Sequence, residues 1–117
     1  MKKFAASMIA TMIFATMSFA APKGRTFDGE IMDSQCAKMG SHDMMIKKEA
    51  AKDAKECTQA CVKMGGKYVL FNAANQDVYQ LDDQTKPAQF AGEKVKVTGT
   101  LNKKTKTIHV TGVQHAS

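Results

Sequence analysis

The chain has no tryptophan in its 117 residues, and aromatic residues make up only 7% of it. Stacking platforms for nucleotides are built from aromatic side chains, so that kind of surface is poorly supplied here. Chemical motifs are also missing. There is no glycine-rich phosphate loop, no H-E-x-x-H and no G-x-S-x-G, the usual signatures of phosphate binding, zinc proteolysis and serine hydrolysis. Cysteine is sparse: the three residues Cys36, Cys57 and Cys61 include no C-x-x-C pair of the thiol-oxidoreductase kind. No internal repeat or low-complexity stretch appears. The expectation from these absences is a protein that is not an enzyme.

Long apolar runs are absent except at the start, "MKKFAASMIATMIFATMSFAAPKG". Lys2 and Lys3 precede an uncharged run from Phe4 to Ala20, and the small residues Ser18 and Ala20 mark an exit before Ala21. This pattern predicts a bacterial secretory signal peptide over residues 1–20, cleaved on export. The run is short for a membrane span, which needs ~20 residues. No span is expected after cleavage, and the absence of a cysteine at the exit argues against a lipoprotein. Residues 21–117 then form one domain, periplasmic or secreted, and are expected to act as a monomer. Without Lys2 and Lys3 that domain carries 15 basic and 11 acidic residues. The lysines scatter or flank strands, as in "KVKV" and "NKKTKT", so they read as solvated edges and no nucleic-acid partner is expected.

Hydrophobic periodicity divides the domain. "RTFDGEIMDS" alternates, with Phe27, Gly29 and Ile31 on one face and Asp28, Glu30 and Met32 on the other. Residues 35–66 are helical in character. Ile46, Ala50, Ala54, Cys57, Cys61 and Met64 form one apolar stripe, either on one helix or on two broken near Asp53, where Asp53 and Glu56 resemble a capping box. "KYVLFN" and "VYQL" read as a hairpin. Pro87 opens a short helical turn that drops Phe90 into the core, and "EKVKVTGTL" and "TIHVTGV" close the chain as strands. Five strands with a small helix between the third and fourth is the order of an OB-like β-barrel, here with a cysteine-bearing helical insert between strands one and two.

"GEIMDSQC", "CTQACVKMGGKYVLF" and "FAGEKVKVTGTL" resemble a family of small exported bacterial proteins of unknown function with an OB-like domain. The similarity spans nearly all of residues 21–117. It implies the fold and the export route and carries no established activity.

Export makes the cysteines the informative residues, because the periplasm favours disulfides. Cys57 and Cys61 stand four apart on a helix, with Cβ atoms about 5–6 Å from each other, whereas a bridge needs about 3.5–4.5 Å. Any disulfide therefore joins Cys36 to Cys57 or to Cys61 and closes a loop worth roughly 3 kcal/mol. The alternative is a metal site. Cys57 and Cys61 present a pair on one helical face, Cys36 supplies a third ligand and His42 a fourth, a Cys3His set suited to zinc. Met39, Met44 and Met45 offer thioethers, which with thiolates suit copper.

Three functions remain open on this reading. The first is an exported binding module for a soft transition metal, zinc or copper. The second is a disulfide-stapled structural or interaction domain whose barrel face, with Tyr68, Phe71 and Tyr79, meets a periplasmic protein or glycan. The third is a thiol redox protein, disfavoured because Cys57 and Cys61 are expected late in their helix, near its negative end. Asp82 and Asp83 read as a solvated turn, and His109 as a solvent-facing strand residue.

Overall fold

The computed structural model describes residues 24–49 and 51–116. The signal-peptide expectation and Ala50 lie outside them. Five strands, β1 (Arg25–Asp33), β2 (Tyr68–Asn72), β3 (Asp77–Leu81), β4 (Lys94–Asn102) and β5 (Thr107–His115), form one sheet. Three short helices, α1 (Ser34–Met39), α2 (Asp43–Lys47) and α3 (Ala54–Lys63), stand between β1 and β2, and a 3-10 turn, Pro87–Phe90, stands between β3 and β4.

The sheet closes on itself in the order β1-β2-β3-β5-β4. β1 makes this possible by serving two neighbours in turn. Arg25 to Glu30 pair with β4, and Glu30 to Asp33 pair with β2. The ring closes through a short parallel seam, Gln80 with Thr107 and Leu81 with Ile108. β4 and β5 bend at an irregularity between Thr98 and Gly99, where a Cβ at Gly99 would run into the His109 carbonyl. Glycine is the residue that permits this approach.

Ile31, Leu70, Leu81, Val95, Val97, Ile108 and Val110 fill the interior of the ring, with Phe27, Tyr68, Tyr79 and Phe90 packed against them. Each large aliphatic side chain buried there contributes ~1.5–3 kcal/mol of transfer free energy. A second core lies outside the ring. Met32, Val69 and Phe71, on the opposite face of β1 and β2, meet Cys36, Ala37, Ala51, Cys57 and Cys61 from the helical segment. Alternation places Val69 and Phe71 away from the interior, on the face opposite Leu70. The helical segment covers Val69 and Phe71.

The apolar stripe is shorter than expected. Ile46 is 38% exposed and Met64 is 72% exposed. Met64 is the C-cap at the end of α3, and Ile46 is separated from α3 by a break: Glu49 adopts a left-handed conformation with φ 55°, and Asp53, extended, caps a new helix by accepting from the Glu56 N–H at 2.8 Å. Among the described residues of the stripe, Cys57 and Cys61 on α3 are the ones that are buried. Gly65, with φ 104°, follows the helix end, where a left-handed glycine stops further winding.

Candidate metal centre

The site is built at the junction of β1 and α1. Asp33 is the last residue of the strand and the N-cap of the helix. Its Oδ2 accepts from the backbone N–H of Gln35 at 2.9 Å and of Cys36 at 3.2 Å. Capping holds the carboxylate over the first turn, and that same turn carries Cys36. From the other side α3 brings in Cys57, in its first turn, and Cys61 one turn later. Ligand atoms of Asp33, Cys36, Cys57 and Cys61 all lie within 4.8 Å of one another. Asp33, Cys36 and Cys57 have no exposure and Cys61 is 4% exposed.

The three cysteines are free thiols. Cys36 and Cys57 are in closest touch, Sγ to Sγ at 3.2 Å, and either can donate to the other. Burial pushes the Cys36 thiol well up, and hydrogen bonds to Asp33 and Cys57 add to the rise. Burial also raises Cys61, with the neighbouring Asp33 charge as the next cause. The expectation that both helical cysteines sit late in their helix holds only for Cys61. Because the helix begins afresh at Ala54, Cys57 lies in its first turn.

Asp33 makes the set more than a group of small core residues. Its Oδ1 is buried and has no hydrogen-bond partner among the described residues. A carboxylate oxygen left so is costly unless paired or bound to a cation. Three buried thiols and one unsatisfied buried carboxylate are a donor set that a thiophilic metal ion would complete.

The sequence named three of these four residues. It did not name Asp33, although the residue stands three positions before Cys36 and begins a helix. The available signal was the combination of a strand end and a cap. What hid it is that its surroundings are set by α1 and α3, which follow it in the chain. His42 stands beside the group and not in it. Its Nε2 pairs with Glu30 Oε1 at 2.9 Å, and that bond, opposed by desolvation, raises the imidazole to about 9. Its Nδ1 is buried with no hydrogen-bond partner among the described residues. Met39 and Met44 are more than half exposed, while Met45 packs against the second core.

Away from the helices, Asp82 accepts from the Val110 N–H at 2.8 Å and pairs with His109 Nδ1. Both side chains are exposed. No helix among the described residues is long and apolar enough to cross a membrane.

Residues 61–116 match a family described as a protein of unknown function, DUF5818. The match is just under half of the chain. It takes in β2 to β5 and Cys61 and leaves Asp33, Cys36 and Cys57 outside. No curated protein and no solved structure matches the chain.

Proposed function

We propose that this chain is a non-enzymatic binding module of the bacterial periplasm or exterior, an OB-like barrel whose helical insert holds one soft transition-metal ion. Asp33, Cys36, Cys57 and Cys61 are the donors. The observation that carries the reading is the buried, unsatisfied Asp33 carboxylate within a set of three buried thiols. Zinc suits the set better than Cu(I), because zinc accepts both sulfur and carboxylate oxygen while Cu(I) selects thiolate and thioether. Sulfurs about 2.3 Å from one tetrahedral centre stand about 3.8 Å apart. Here the Cys36 and Cys57 sulfurs are 3.2 Å apart and no two donor atoms of the set are more than 4.8 Å apart.

Native mass spectrometry of the reduced protein titrated with zinc tests this. The expected result is about one zinc per chain and loss of that zinc in Cys36→Ser. Three free thiols with neither zinc nor copper retained would refute it.

A second reading has its own observation, the 3.2 Å approach of Cys36 and Cys57. In that reading the two form a disulfide staple and the barrel surface meets a protein or glycan. Alkylation under denaturing conditions separates the readings: one free thiol supports the staple and three support the metal. A thiol redox enzyme is least favoured, since the three cysteines include no C-x-x-C pair.

A further inference from the structure

We propose that metal binding and the Cys36–Cys57 disulfide are two exclusive states of one site, so that oxidation of this pair expels the metal ion. The inference rests on the metal reading above and adds its regulation. Three features support it. The two sulfurs that would bond are already the closest pair, at 3.2 Å. They belong to separate helices, so they are free of the i, i+4 constraint that keeps Cys57 and Cys61 from bonding within α3. The third thiol and the carboxylate stand within 4.8 Å of both, so bonding the pair removes two of four donors and leaves Cys61 and Asp33 alone. Two donors do not make the closed four-coordinate set of a structural zinc site. An odd cysteine count then has a use: Cys61 is a ligand in one state and a free thiol in the other.

The chemistry closes with a low-molecular-weight disulfide as oxidant. The thiolate of one member of the pair attacks a sulfur of the oxidant, forms a mixed disulfide and releases one thiolate. The second member attacks the bonded cysteine sulfur, forms the Cys36–Cys57 bond and releases the other. The two cysteines lose two electrons in all, the oxidant becomes two thiols, and the metal ion leaves with its charge unchanged.

The test uses the purified protein, reduced, loaded with zinc alone and then exposed to oxidised glutathione. Zinc release is followed with a chromogenic chelator, and cysteine pairing is mapped by alkylation and peptide mass spectrometry. The expected result is release of nearly all bound zinc in step with a Cys36–Cys57 bond, with Cys61 alkylated, and recovery of zinc binding after reduction. Zinc retained alongside that bond overturns the inference and leaves the metal reading intact, as does zinc lost with some other pairing or with none. Failure of the reduced protein to bind zinc overturns both. Because Cys36→Ser risks misfolding, Cys61→Ser provides a second check. It keeps the bonding pair and is expected to form the same disulfide under the same oxidant; absence of the bond there also overturns the inference.

Discussion

Cys36 and Cys57 are 21 positions apart in the chain, and their sulfurs are 3.2 Å apart in space, one on α1 and the other on α3. The site is therefore not a local motif. It exists only when the helical segment is folded against β1, and changes to it register as changes in folding.

Cys57→Asp tests this directly. The position has no exposure and lies within reach of the Asp33 carboxylate. A second buried carboxylate with no cation is expected to cost roughly 3–5 kcal/mol, the scale of an uncompensated buried charge. Urea unfolding in the presence of a chelator measures it. A midpoint like that of the wild type would show that the side chain does not face the core.

Asp33→Asn separates the cap from the ligand. Asparagine caps helices about as well as aspartate, so the metal-free variant is expected to stay within about 1 kcal/mol of wild type. Zinc affinity should fall by at least tenfold, because the anionic donor is gone while the three thiols remain. Competition against a chromogenic chelator reads this. Equal affinity in the two proteins would remove Asp33 from the donor set.

Met32→Ala and Met64→Ala form a contrast. Met32 is 1% exposed and belongs to the second core, whereas Met64 is 72% exposed. The first substitution is expected to cost about 2–5 kcal/mol and the second less than about 0.5 kcal/mol. Thermal melts of both variants suffice. Similar losses would mean that the helical segment does not cover β1 as described.

The Asp82–Asp83 turn governs part of the acid sensitivity. The Lys86 backbone N–H, then the Lys86 ammonium, hold Asp83 down to about 2. The Val110 N–H, then His109, lower Asp82. In the unfolded chain an aspartate titrates near ~3.9. A depressed folded value stabilises the protein fully above the unfolded pKa, and the gain is lost as pH falls through the folded one. Stability is thus expected to drop between about pH 4 and pH 2. In Asp83→Asn part of that drop should vanish. Parallel slopes in chemical unfolding of the two proteins across this window would contradict the assignment.

The strands were legible in the sequence because each announces itself locally. "KYVLFN", "VYQL" and "EKVKVTGTL" carry their own alternation, and Pro87 and Phe90 mark the 3-10 turn. The inward turn of Cys57 and Cys61 was legible for the same reason, since both lie on one face of one helix. The helix break was less so. Helical spacing continues through Ile46 and Ala50, and the left-handed Glu49 has no glycine to advertise it. Asp33 was hidden for a different reason. Period two assigns it to the interior face, and only the arrival of α1 and α3 decides what lies around it.

Ile31, Met32 and Asp33 follow one another with no spacer, and they enter the ring's interior, the second core and the donor set respectively. Ile31 is also latched on both sides of its peptide, donating to the Glu93 carbonyl at 3.0 Å and accepting from the Gly92 N–H at 2.8 Å. Two peptide units therefore link the Asp33 carboxylate to the latch at the mouth of β4. Slowed amide exchange at Ile31 and Gly92 on zinc loading would make the ring itself the reporter of occupancy.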